Sequence, residues 1–205
     1  MSATRLLRLD CSPKGPEAWS WRAADALEAR LRAGGGGLAV TRRDLGRAPP
    51  GFVDQAFTKA MPAHRTAESA RGVAALAESE ALIAELEATD ALLISTPMHN
   101  YTVPACLKAW IDQVVRAGRS FTIEPGGKVG TLRDRPSYVV VASGGYYTGE
   151  RARQPDFLTS YLREILATIG LRDTRFVRLE GVTRGEDAAA EAWAGALREI
   201  EAALA

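Results

Sequence analysis

The feature that most constrains this chain is an alternation repeated five times: a short apolar run, then a long amphipathic one. The runs Leu6–Leu9, Leu38–Arg43, Ala91–Ser95, Tyr138–Ala142 and Arg175–Leu179 have the length and character of strands. Ala91–Ser95 and Tyr138–Ala142 are apolar without polar alternation, as strands covered on both faces of a parallel sheet must be. Residues Trp19–Arg32, Glu68–Ala88, Val103–Ala117, Phe157–Ile169 and Glu186–Leu204 follow them as helices. Ala23, Leu27 and Leu31 share one face of the first helix, and Leu76, Leu82, Ile83 and Leu86 one face of the second. Gly34–Gly37 ends the first helix, because glycine tolerates the positive φ of a helix terminus. The charged end of Leu38–Arg43 predicts an edge strand, and residues 46–66 read as a long surface loop. Strand–helix units in this order predict an α/β fold: a five-stranded parallel sheet with helices on both faces and right-handed crossovers.

Composition narrows the function. The chain has 205 residues, 46% of them hydrophobic, which predicts one domain, 1–205, with a full core. Its 26 basic and 25 acidic residues leave a net charge of +1, so no electrostatic footprint points to nucleic acid or an anionic membrane. His64 and His99 lie far apart, and Cys11 and Cys106 lack metal-ligand spacing, so no metal site is expected. Two cysteines in a chain this long make no disulfide framework, which points to a reducing, cytoplasmic compartment. The apolar runs are strand-sized, with neither a signal peptide nor a membrane span among them.

In an open parallel sheet, ligands bind beyond the carboxyl ends of the strands, at the switch in strand order. Three loops therefore matter. Asp10–Ala18 leaves a strand and opens a helix, where free N–H groups and the helix dipole favour a phosphate, with Ser12 and Ser20 as hydroxyl donors. It lacks both the dinucleotide glycine fingerprint and the P-loop ending. The plainer alternative makes Ser20 a helix cap and Ser12 a turn residue. Thr96–Thr102 offers Met98, His99, Asn100 and Tyr101 to a planar ring, or packs as an ordinary turn, and a helix begins near Pro104. After Ser143, Gly144 and Gly145 let the backbone approach a ligand closely, or simply make a tight turn.

Taken together, these residues resemble the FMN-dependent NADH:quinone oxidoreductases, also called azoreductases, of the flavodoxin-like superfamily. The most specific stretch is Thr96-Pro97-Met98-His99-Asn100-Tyr101, followed by Leu107-Lys108-Ala109-Trp110-Ile111-Asp112 and Arg116-Ala117-Gly118-Arg119-Ser120-Phe121. The helix Phe157–Gly170 and the run Phe176–Gly181 extend the likeness over nearly the whole chain. The resemblance implies a flavodoxin-like three-layer sandwich with strand order 2-1-3-4-5. It also implies FMN as cofactor, NADH or NADPH as electron donor, and ping-pong two-electron reduction of quinones or azo compounds. Ser12, Trp19 (through its backbone N–H) and Ser20 would hold the FMN phosphate. Pro97, Met98, His99, Asn100 and Tyr101 would line the isoalloxazine, and Ser143, Gly144 and Gly145 its other polar edge. His99 is the candidate for supplying a proton. A homodimer is implied, with Trp110, Tyr146, Tyr147 and Phe157 as candidate interface aromatics or plain core residues.

The sequence departs from the family at three places. Ala18 stands where the family's Ser-x-Ser has its first serine, removing a hydroxyl worth about 1 kcal/mol. His99 and Tyr101 replace the usual tyrosine and phenylalanine, and Glu124–Thr131 is shorter than in some relatives. The alternative function is a flavodoxin-type electron carrier without its own substrate. The near-neutral charge argues against it, because such carriers are strongly acidic.

Overall fold

A computed structural model of the chain describes residues 3–63 and 74–205. Five parallel strands form its central sheet: β1 (Thr4–Asp10), β2 (Leu38–Asp44), β3 (Ala91–Pro97), β6 (Ser137–Ser143) and β7 (Thr174–Glu180). Their order is β2-β1-β3-β6-β7. The two strands between β3 and β6 in sequence, β4 (Phe121–Glu124) and β5 (Gly127–Gly130), pair antiparallel in a separate hairpin. The expected five-stranded parallel sheet is therefore present, and the hairpin is the addition that shifts the numbering of its last two strands.

Six α-helices lie among the described residues: α1 (Trp19–Ala33), α2 (Gln55–Ala63), α3 (Ala77–Glu87), α4 (Ala105–Val114), α5 (Thr159–Thr168) and α6 (Glu186–Leu204). Alternation along β1 sorts them into layers. Leu7 and Leu9 point to one face, into a cluster with Leu82 and Ile83 of α3, Trp110 of α4 and Leu162 of α5. Leu6 points to the other, with Leu27 of α1 and Ile200 of α6. Every residue of β3 from Ala91 to Thr96 is buried, the environment its unbroken apolar run anticipates. The edge strand β2 is only half-covered, as its charged end predicts.

Two expectations are corrected, and one element was not anticipated. Residues 46–66 are not all loop, because Gln55–Ala63 forms α2, whose Phe57 and Ala60 pack with Leu76 in a small core of their own. The expected helix Glu68–Ala88 is observed as Ala77–Glu87, its first residues lying outside the described ones. The hairpin went unread because each arm is four residues long and only Phe121 is buried, so neither arm carries an apolar run. It docks through glycine. A Cβ on Gly130 would lie 2.1 Å from the backbone nitrogen of Gly170, behind α5.

Trp110 and Tyr147 are buried within the chain, which assigns both to the core rather than to an interface. Phe157, by contrast, is 60% exposed. No helix among the described residues is long and apolar enough to cross a membrane. No group of three or more potential metal-ligating side chains occurs among them either.

Candidate active site

Because β1, β3 and β6 are adjacent, the three loops singled out in the sequence emerge side by side. Asp10 pairs with Ser95, and Pro97 with Ala142, so the strands end almost level. Between the loops lies a cleft of about 230 Å³.

Its first wall is the end of α1. Ala18 occupies the N-cap position without a side-chain hydrogen bond, and the first intrahelical bond runs from Arg22 N–H to the Ala18 carbonyl (3.1 Å). Helix geometry thus leaves the amides of Trp19, Ser20 and Trp21 without intrahelical acceptors. Ser20 is not a cap. Its hydroxyl is fully buried and has no hydrogen-bond partner, and the residue is among those that line the cleft. A buried hydroxyl in that state carries a desolvation cost of about 1–3 kcal/mol unless an acceptor reaches it. Ser12 does act as a turn residue: its Oγ accepts the Lys14 N–H at 3.3 Å. The Trp19 ring turns away to α6, where the guanidinium of Arg22 lies 4.6 Å above it and 5.4 Å above Trp193.

The second wall is Pro97, Met98 and His99. Residues 99–102 close a two-residue turn, with His99 N–H to the Thr102 carbonyl at 2.9 Å and Thr102 N–H to the His99 carbonyl at 3.0 Å. Asn100 and Tyr101 both take positive φ, 48° and 71°. Asparagine tolerates this, whereas tyrosine is strained there, and such strain clusters at functional sites. Asn100 and Tyr101 consequently sit on the exposed rim rather than in the wall.

The third wall is Ala142 and Gly144. Ser143 lies buried behind it and Gly145 beside it, and neither lines the cleft. A Cβ on Gly144 would meet Thr183 Oγ1 at 2.7 Å, and one on Gly145 would meet Gln154 Oε1 at 2.3 Å. A side chain at either position would have to displace Thr183 or the amide end of Gln154.

Of the residues expected at the site, Ser12, Trp19, Ser20, Pro97, Met98, His99 and Gly144 converge on the cleft. Sequence reasoning missed Val182 and Thr183, which close it from the loop after β7, and Lys14 and Glu17 on its floor. It also missed Gln154, whose amide donates to Ser143 Oγ (3.1 Å) and to Met98 Sδ (3.2 Å), tying the second and third loops together. No motif marks Gln154, and only tertiary contact reveals it. Glu180 belongs to a stretch that carried the resemblance. Its carboxylate accepts the N–H groups of Tyr147 (2.6 Å) and Thr148 (2.9 Å), fixing the third loop from beneath.

Charge is concentrated under the first loop. Arg8 of β1 is fully buried and bonds Asp10 (3.0 Å), Asp25 (2.6 Å) and Glu28 (3.0 Å). Burial works against its charge, and the three carboxylates more than offset that, so its pKa is raised. Burial pushes the Asp10 carboxyl up to about 6, against the attraction of Arg8.

Comparison with known proteins bears on this geometry. Residues 4–204 match a family model described as flavodoxin-like fold. The FMN-dependent NADH:quinone oxidoreductase 4 of Pseudomonas fluorescens is 47% identical over 89% of this chain and 87% of its own length. The FMN-dependent NADH:quinone oxidoreductase 2 of Cupriavidus pinatubonensis is 44% identical over 94% of this chain and 97% of its own. Among solved structures, an azoreductase from Bacillus anthracis superposes with a TM-score of 0.86 at 22% identity, covering 98% of both chains. That likeness shows the fold, and the sequence relatives show the family. The chain belongs to the flavodoxin-like FMN-dependent NADH:quinone oxidoreductases.

Proposed function

We propose that this chain binds FMN in the cleft at the ends of β1, β3 and β6 and reduces quinones or azo compounds with electrons from NADH. The observation that carries the reading is the Ser20 hydroxyl, buried and unpartnered at a helix N-terminus that no side chain caps. A phosphate monoester brings the acceptor oxygens that this hydroxyl and the amides of Trp19 and Ser20 lack, so the residues present fit the group. Ser12 adds its O–H from the opposite side of the loop. Pro97, Met98 and His99 form the wall for a flat ring, with Asn100 hydrogen-bonding its pyrimidine side and Tyr101 covering the rim. Ser143, Gly144 and Gly145 hold its other polar edge, with Ser143 and Gly145 reaching it through backbone groups once the loop is filled. When bound, FMN supplies the two-electron chemistry that no side chain here provides, with donor and acceptor occupying the same cleft in turn. His99, exposed on that wall, passes a proton to or from the acceptor.

The names of the sequence relatives support NADH as donor and quinones as acceptors. Residues 1–205 act as one domain, in the cytoplasm, and as a homodimer. The exposed Phe157 and Tyr101, joined by a hydrogen bond from Phe157 N–H to the Tyr101 carbonyl (3.1 Å), supply an aromatic surface at the rim for the second copy. A one-chain mass in sedimentation equilibrium would refute the dimer.

Ser20→Ala tests the cofactor site. Titrated with FMN and followed by flavin fluorescence, the variant binds about 10-fold more weakly, the value of one hydrogen bond to a charged group. Unchanged affinity would place the phosphate elsewhere.

A further inference from the structure

Two thiols beside the cleft take no part in the proposed chemistry. Cys11 follows β1 directly, is fully buried, and immediately precedes Ser12. Cys106 is the second residue of α4 and is half-buried. They are 95 residues apart in sequence, yet the Cys106 thiol donates to the Cys11 carbonyl oxygen over 3.3 Å. Cys11 belongs to a core cluster against which the Cys106 side chain packs. The adjacency follows from topology. Cys11 N–H bonds the Ser95 carbonyl of β3 (2.8 Å), and α4 descends from the loop that β3 feeds.

The two sulfurs differ in character. The Cys106 thiol has its pKa lowered, first by the hydrogen bond with Cys11 and then by the N–H groups of Leu107 and of Cys106 itself in the first helical turn. Burial pushes the Cys11 thiol well above its ordinary value. The thiolate is the reactive form, so the more accessible sulfur is also the more nucleophilic, and its neighbour stays protonated.

We propose that Cys106 and Cys11 form a hydroperoxide-reactive dithiol site, in which Cys106 is oxidised and Cys11 resolves it to an intrachain disulfide. In the first step the Cys106 thiolate attacks the hydroperoxide, the O–O bond breaks, Cys106 becomes a sulfenic acid, and the alkoxide leaves and takes up a proton. In the second, Cys11 gives up its proton and attacks the Cys106 sulfur, and the S–O bond breaks to release water. The sum is two thiols and one hydroperoxide going to one disulfide, one alcohol and one water. The bond ties the root of the Ser12 loop to the first turn of α4, so the redox state of the pair is felt at the cleft.

The test treats the reduced holoprotein with hydrogen peroxide, blocks remaining thiols, and maps peptides by mass spectrometry without reduction. Both thiols disappear together, a Cys11–Cys106 peptide pair appears within single chains, and dithiothreitol reverses it. In Cys11→Ser, Cys106 accumulates as a sulfenic acid that a cyclic 1,3-dione traps. In Cys106→Ser, Cys11 is oxidised about 10-fold more slowly than in the parent, because it is buried and protonated. The proposal is overturned if wild-type Cys106 proceeds to sulfinic acid while Cys11 stays reduced. It is equally overturned if the disulfide forms between chains, or if both thiols survive peroxide that oxidises free cysteine. These readouts follow sulfur alone and stand whether or not the cofactor reading holds.

Discussion

At the residue scale, the start of α1 holds groups whose hydrogen-bonding needs the chain does not meet by itself. Ser20 is the clearest case. If His99 passes a proton, His99→Phe lowers kcat for quinone reduction by about 10-fold or more. Steady-state rates measure this, and an unchanged kcat would leave His99 as a wall of the cleft only. Much of this scale was legible in the sequence. The loops after the apolar strands pointed to Ser12, Ser20, Met98, His99 and Gly144, and the family resemblance added Pro97; all of them line one cleft. Gln154, Val182 and Thr183 were not legible, because they reach the site from distant loops and carry no local pattern.

At the element scale, the loops are held by close backbone approaches that only glycine permits. Gly46, after β2, donates to the Asp10 carbonyl (3.1 Å), and a Cβ there would lie 2.4 Å from the Ser12 carbonyl oxygen. Gly46→Ala must displace the Ser12 loop, since both sides of the contact are backbone. We expect FMN affinity about 10-fold lower or worse and a cost of about 1–3 kcal/mol in stability. Fluorescence titration and urea unfolding measure the two, and a variant unchanged in both would show that the loop yields without consequence. The same logic separates scaffold from site within the motifs that carried the resemblance. In Arg116–Phe121, Arg116 is buried against Ser79 and Glu80, Ser120 Oγ–H donates to the Val114 carbonyl (2.6 Å), and Gly118 takes φ 76°. This stretch shapes the turn into the hairpin and stays clear of the cleft. Strands and helices with long apolar periods were readable, whereas the hairpin, and α2 within a Pro- and Gly-rich stretch, depend on contacts that composition does not encode.

At the scale of the whole molecule, the buried charge cluster couples stability to pH. The Asp10 carboxyl sits near 6 in the fold, above its ordinary 3.8. The native state therefore holds a proton there that the unfolded chain has released, and this group's contribution, full below about 4, is lost as pH rises through about 6. Glu28, Glu80 and Glu87 are lowered, despite the burial of the first two, by hydrogen bonds from arginines, and they act in the opposite sense, losing their contribution as pH falls. Asp10→Asn removes only the first effect. The urea midpoint of wild type relative to that variant should fall between pH 4 and pH 7 by the equivalent of about 2–3 kcal/mol. A constant difference would place the Asp10 carboxyl at an ordinary value. The family relationship, the cleft and the Ser20 hydroxyl converge on one property of the folded chain, and the most direct test of it is optical. Purified protein reconstituted with FMN is scanned under anaerobic conditions, then with NADH, then with benzoquinone. We predict a flavin spectrum at about one FMN per chain that bleaches in a single two-electron step with NADH and returns with the quinone. A protein that stays colourless after FMN is added, or a bound flavin that NADH cannot bleach, would contradict the account.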